Sequence, residues 1–129
     1  MQQAFGLELG LVFPLVPGEY HTNVVMSVLA GRFLVLHTPS IADPETAKAL
    51  VAAYAPNVIE LDDEEKAAFC GNCIALTEDT VWMSARAERA LAHAHRRQLR
   101  EAGFEIHAVE IDEIEKAGGS LRCCVAEVF

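Results

Sequence analysis

Positive charge is scarce in this chain. Ten lysines and arginines stand against nineteen aspartates and glutamates, a net charge of −9. Nucleic acid and anionic membrane surfaces both demand a basic patch, so neither is an expected partner. The one basic cluster, Arg96-Arg97 with Arg100, has Glu88 and Glu101 near it and reads as a solvated helix face. Long apolar runs are missing too, and no stretch reaches bilayer-spanning length. Near the start, Glu8, Pro14, Pro17 and Glu19 break up a partly apolar segment that has no basic leader. No secretory signal is expected, and a cytoplasmic location is. A second well-spaced cysteine pair is also lacking. The four cysteines are Cys70, Cys73, Cys123 and Cys124. The last two are adjacent, so they would not normally reach one metal together, and a reducing compartment keeps all four as thiols. Neither a disulfide scaffold, a resident metal nor another cofactor is expected.

What is present is a core and a repeat. Half of the 129 residues are apolar, 52%, enough to fill one ordinary domain spanning 1–129. Asp62-Asp63-Glu64-Glu65-Lys66-Ala67 aligns with Asp112-Glu113-Ile114-Glu115-Lys116-Ala117 at an offset of 50, which also takes Cys73 to Cys123. Periodicity predicts a strand over Thr22 to Leu29, a turn at Ala30-Gly31, and a strand over Arg32 to His37. Asp43-Pro44-Glu45 is a helix start, with an N-cap, proline at the first position and an acid in the first turn; the helix runs to about Tyr54. Asn57 to Leu61 is a short strand. The pattern then recurs: strands at Asn72 to Leu76 and Thr80 to Met83, a long helix from the Ser84 cap to about Ala102 with Gly103 after it, and a strand at Phe104 to Glu110. Strand, strand, helix, strand, twice over, gives an α/β fold of two tandem ββαβ modules with mixed sheets and two main helices. An opening strand lies within 1–20 (about Phe5 to Leu15). Module one is 21–61 and module two 62–110. A closing turn and a final strand (Arg122 to Val128) occupy 111–129.

The chemistry concentrates in the tail, Gly118-Gly119-Ser120-Leu121-Arg122-Cys123-Cys124. Glycines let the backbone turn and approach a ligand closely. Arg122 beside Cys123 favours the thiolate, the reactive form of a thiol. A terminal core strand with two small packed cysteines accounts for the same residues equally well. Cys70-Gly71-Asn72-Cys73 fits Cys-x-x-Cys, but a redox motif would want a helix after it, and a strand is predicted there instead. Two packed thiols are the simpler reading, with a redox or metal protein as the alternative. His21 opens the Thr22 strand. His93 and His95 point to different helix faces, and His37 and His107 have no evident partner.

The tail resembles the C-terminal motif of the guanidino-modifying hydrolases and amidinotransferases: arginine deiminase, dimethylargininase and glycine amidinotransferase. It is most similar to the bacterial citrulline utilization hydrolases. Tyr20-His21-Thr22-Asn23-Val24-Val25-Met26-Ser27 looks like their histidine motif. Phe69-Cys70-Gly71-Asn72-Cys73 resembles their glycine-asparagine strand start, and Val81-Trp82-Met83-Ser84-Ala85-Arg86 a strand-to-helix junction. The resemblance covers residues 20 to 129 and implies part of a five-module α/β propeller, pentein-like, with the active site on its axis. It also implies Cys123 as nucleophile and His21 as general acid and base, acting on a small guanidino or ureido compound through a covalent intermediate. Asn23, Arg122 and Ser120 would touch substrate, while Gly71, Asn72, Gly118 and Gly119 would shape the turns. Arginine deiminases have an aspartate where Asn23 stands. In the family most of the acids that grip the cation come from N-terminal modules, and only about two modules are here. Glu127, four residues along the predicted strand, would lie about 13 Å from Cys123. The chain is therefore expected to work as a homodimer or with a partner chain that supplies N-terminal modules. The alternative is an inactive truncated homologue that serves as a binding or assembly module.

Overall fold

A computed structural model describes residues 10–126. The part of the opening strand that falls on residues 1–9, and Glu127, lie outside the described residues.

Two ββαβ modules stand side by side. In the first, β1 (Met26–Leu29) pairs antiparallel with β2 (Phe33–Leu36), Met26 opposite Leu36. After the helix, β3 (Val58–Glu60) pairs parallel with β2. In the second, a single antiparallel bridge, Ile74 opposite Trp82, takes the place of the first strand pair. β4 (Thr80–Ser84) then pairs parallel with β5 (Glu105–Val109). Both sheets therefore have the same order of antiparallel step, helix and parallel step, so the mixed sheets follow from one repeated unit.

All four residues of β2 are buried, which its unbroken Phe-Leu-Val-Leu run requires. Alternation sends them to two places. Phe33 and Val35 join Leu29, Ile59, Val81, Met83, Leu99 and Phe104 in one core shared by the modules. Leu34 and Leu36 face Ile41 and Ala47, beneath the first-module helix. Fully burying each such leucine is worth about 1.5–3 kcal/mol. The Phe33 and Phe104 rings meet edge-on, centroids 5.9 Å apart. Arg32 crosses the same seam, donating to the Ala102 and Glu78 carbonyls at 2.7 and 2.8 Å with its guanidinium over the Phe104 ring.

The first-module helix forms as its sequence predicts. α1 is the short turn Thr22–Val25 and α2 is Pro44–Tyr54, with Asp43 as N-cap. The Thr46 hydroxyl and the Glu45 and Thr46 amides donate to the Asp43 carboxylate, and this holds its pKa below the usual value.

Four expectations are corrected. The strand predicted from Thr22 begins only at Met26, because the His21 side chain caps residues Thr22–Val25 into α1. The strand at Asn72 to Leu76 shrinks to the Ile74 bridge. Among residues 10–15 only Leu15 makes a β-bridge, to Ile41. The long helix after Ser84 is two helices, α4 (Ala85–Ala90) and α5 (His93–Glu101). The break has a specific cause. The Ala92 amide donates to buried Glu65 at 2.8 Å instead of continuing the ladder, and the Arg96 guanidinium takes over the Glu88 and Leu91 carbonyls. Glu65 sits on α3 (Asp63–Ala67), where it closes a capping box with Asp62.

Candidate active site

Three segments from across the chain meet at one cleft. The first is the entrance to module one. His21 adopts extended backbone, and its Nδ1 accepts the Asn23 amide at 3.4 Å, starting α1. A nitrogen that accepts leaves Nε2 to hold the proton in the neutral ring. The imidazole stays exposed.

The second segment is the turn 69–73. A Cβ on Gly71 would lie 2.8 Å from the Val24 carbonyl oxygen, so only glycine permits this backbone to pack on α1. Ser27 Oγ lies 2.8 Å from the Gly71 carbonyl and 2.7 Å from that of Cys73, which fixes the turn to β1. Between them Asn72 is fully buried. Its Nδ2 donates to the Asn23 carbonyl at 2.6 Å and to Cys123 Sγ at 3.2 Å.

The third segment is the tail. The predicted final strand is not found: Leu121–Cys124 forms a 3₁₀ turn, and the chain past residue 126 lies outside the described residues. The Cys123 amide bonds back to the Ser120 carbonyl at 3.0 Å and closes that turn. Strand alternation therefore does not separate the two tail thiols. Gly118 takes φ +95°, a value that favours glycine, and its carbonyl accepts the Tyr20 hydroxyl. Gly119 packs directly on Cys123, since a Cβ there would lie 3.3 Å from the Cys123 Cβ. Ser120, expected to touch substrate, is wholly buried and donates to Glu115 Oε1 at 2.6 Å. Its work is to anchor the loop to α6 (Asp112–Glu115).

The structure brings Cys123, Asn23 and Asn72 into contact, with His21 two residues from Asn23. Cys123 Sγ, exposed, lies 3.7 Å from Asn23 Oδ1. A cleft of about 520 Å³ is lined by His21, Asn23, Ser27, Cys73 and Arg122 among others. Arg122 also donates to the Val125 carbonyl at 3.3 Å. Among the described residues lining this cleft there is no carboxylate. A larger hollow of about 690 Å³ beside α2 is lined by Val16, Ile41, Ala47 and Val51 and has neither thiol nor imidazole.

The other thiols are differently placed. Cys70 and Cys73 are each 1% exposed. Burial pushes the Cys70 thiol up, with the Glu65 carboxylate adding to it, and burial pushes Cys73 up to about 12. Such thiols are poor nucleophiles and poor metal ligands. No group of three or more metal-ligating side chains occurs among the described residues. The redox or metal reading of Cys70 and Cys73 has no support in this environment.

Some partnerships lay beyond sequence reasoning. His37 bridges Ser40 at 2.7 Å and Asp63 at 3.1 Å. His95 bonds Glu65 at 2.8 Å. His107 stacks on Trp82, centroids 4.5 Å apart. The direct reach of Asn72 to the thiol was missed as well, although its sequence signal, an asparagine beside a glycine that must pack tightly, was visible.

A protein-family model described as N,N dimethylarginine dimethylhydrolase, eukaryotic, matches residues 18–129. The N(G),N(G)-dimethylarginine dimethylaminohydrolase of Mycobacterium tuberculosis is 28% identical over 112 residues, 87% of this chain and 34% of its own length. The uncharacterized protein YkgA of Bacillus subtilis is 27% identical over 104 residues, 81% of this chain and 34% of its own length. The chain thus spans about a third of the curated relatives it matches. Among solved structures, the substrate-bound N-terminal domain of ArgZ, a cyanobacterial arginine dihydrolase, superposes with TM-score 0.76 at 22% identity, covering 93% of this chain and 43% of that one. SxtG, an amidinotransferase from Microseira wollei, gives TM-score 0.63 at 17% identity over 95% of this chain and 35% of its own. These likenesses establish the propeller-type fold. No helix among the described residues is long and apolar enough to cross a membrane.

Proposed function

The chain belongs to the N,N-dimethylarginine dimethylhydrolase family, and from that premise we propose that it provides the nucleophile side of a hydrolase site for guanidino or ureido compounds. Cys123 is the nucleophile and His21 the general acid and base. One observation supports this most: Cys123 Sγ is exposed and 3.7 Å from Asn23, whose backbone amide bonds the His21 ring, and His21 and Asn23 both line the cleft.

The proposed chemistry has two halves. The thiolate attacks the planar guanidinium carbon, and the C–N bond to the leaving amine breaks as that nitrogen takes a proton from His21. The donor in this step is the imidazolium, formed as the Cys123 thiol gives its proton to the ring, and Nδ1 releases the Asn23 amide when the ring is charged. The resulting S-alkylthiouronium is then cleaved by water, which gives its proton to His21, and the thiolate returns. Asn23 Oδ1 accepts one N–H of the planar group. Arg122 faces the cleft and suits a substrate carboxylate.

A delocalised cation also needs carboxylates to hold it and to raise the electrophilicity of its carbon. We propose that they are supplied by N-terminal modules, on a further part of this protein or on a partner chain, or by a second copy in a homodimer. Release of ammonia or amine from arginine, citrulline and methylated arginines tests the proposal. Turnover that is lost in Cys123→Ala supports it; turnover unchanged in that variant contradicts it. The second reading, a non-catalytic assembly module, is favoured by the neutral Asn23 and by the lack of an acid among the described residues lining the cleft. It predicts stable association by light scattering with no turnover even after partner modules are supplied.

A further inference from the structure

We propose that Asn72 is a dedicated hydrogen-bond donor to the Cys123 thiolate, setting both the position of the sulfur and the pH at which it becomes reactive. This rests on the reading of Cys123 as nucleophile. The orientation of the Asn72 amide is fixed by its partners. Nδ2 lies 2.6 Å from the Asn23 carbonyl oxygen, a contact only the nitrogen can make, because the flipped amide would set two acceptors together. That fixes the second Nδ2 hydrogen on Cys123 Sγ, 3.2 Å away. Both donors are thus committed, one to hold α1 and one to the sulfur.

The other end of the same side chain is left without a partner. Asn72 Oδ1 is buried and unbonded among the described residues. An amide kept purely for structure would satisfy its acceptor, since leaving one bare is costly. Here the buried amide is oriented for its donor. A hydrogen bond to an ion is roughly twice as strong as one to a neutral group, so the contact favours thiolate over thiol. The contact also anchors the sulfur to the clamped turn 69–73 instead of to the 3₁₀ turn that bears it. Gly71 and Ser27 make that turn rigid, so the donor is preorganised. Other charged or titratable groups around the thiol are Arg122 and Cys124 on its own turn and, on the facing segment, Tyr20, whose hydroxyl meets Gly119 beside the sulfur, with His21 next to it in sequence.

The test reads the sulfur directly and needs no turnover. In a Cys124→Ser background, the rate of Cys123 alkylation by iodoacetamide is followed against pH for Asn72, Asn72→Leu and Asn72→Asp, with circular dichroism as the fold control. The midpoint should rise by about one pH unit or more in both variants, the size expected when a donor to an ion is removed. Unchanged midpoints in folded variants would overturn the proposal. Should both variants unfold, the unaltered protein still decides. The Asn72 side-chain amide resonance should titrate together with Cys123 alkylation and stop titrating in Cys123→Ser. A flat amide signal while the thiol titrates contradicts the proposal. If Cys123 has no role in turnover, these readings remain interpretable, which separates failure of this inference from failure of the catalytic reading.

Discussion

Cys73 and Cys123 occupy equivalent positions of the internal repeat, 50 residues apart, yet one is 1% exposed and the other stands open on a turn. Cys73 lies in the seam between modules, its carbonyl held by Ser27 and its sulfur among core side chains. Cys123 sits at the end of the second module, where nothing among the described residues closes over it. The repeat places a cysteine after each acidic helical turn, and the local backbone and neighbours bury one thiol and expose the other. The difference extends one residue back, because Asn72, beside the buried cysteine, is the residue that reaches the exposed one.

The comparison can be broken most severely with a thiol reagent. In native buffer at neutral pH, Cys123 should be alkylated more than about a thousandfold faster than Cys70 or Cys73, given how rarely a thiol pushed up to about 12 ionises. Peptide mass mapping measures this, and equal rates would remove the distinction. Next in size is the acid and base. His21→Ala should lower turnover by about 10²–10⁴-fold while the fold survives, since the ring is exposed and caps only a four-residue helix. The pH dependence of turnover should flatten in the same variant.

Smaller effects test the shared backbone. Gly71→Ala forces a Cβ against the Val24 carbonyl and should cost about 1–3 kcal/mol in denaturant unfolding. Gly119→Ala presses on the Cys123 side chain at 3.3 and 3.4 Å and merely touches the Tyr20 hydroxyl at 3.9 Å, so it should perturb thiol reactivity more than stability. The smallest effect at neutral pH, felt only in alkali, is linkage at Cys73. Its folded pKa lies above the unfolded value of 9.0, so the neutral thiol is favoured by the fold. That contribution is full below pH 9 and is lost as pH rises towards 12, with a slope of at most about 1.4 kcal/mol per pH unit. Cys73→Ala should show a shallower loss of melting temperature over that range.

Much of the architecture was legible. The Asp43-Pro44 start of α2, the strands around Phe33, Val58, Thr80 and Glu105, and the two-module order all came from local capping and period-two patterning. What misled was tertiary. Thr22 to Leu29 alternates like a strand, but His21 captures its first turn through a side-chain cap. The stretch from Ser84 to Ala102 reads as one helix, but a glutamate from α3 takes the Ala92 amide and breaks it. The tail reads as a strand, but Ser120, tied to buried Glu115, bends it into a 3₁₀ turn. In the first two cases a polar side chain outside the element took a backbone amide that propensity had assigned elsewhere, and in the tail a bond between two side chains fixed the loop. The residues proposed for catalysis were found through a motif resemblance; composition alone would have left them as packing.

The most direct measurement is the search for a covalent intermediate. The chain, with partner modules supplied where they are needed for turnover, is mixed with a methylated arginine, quenched in acid and mapped by mass spectrometry. The account predicts one adduct, on Cys123, absent in Cys123→Ala and accumulating when His21 is replaced by a residue that cannot activate water. An adduct on Cys124, or turnover in which Cys123 is never modified, would contradict it.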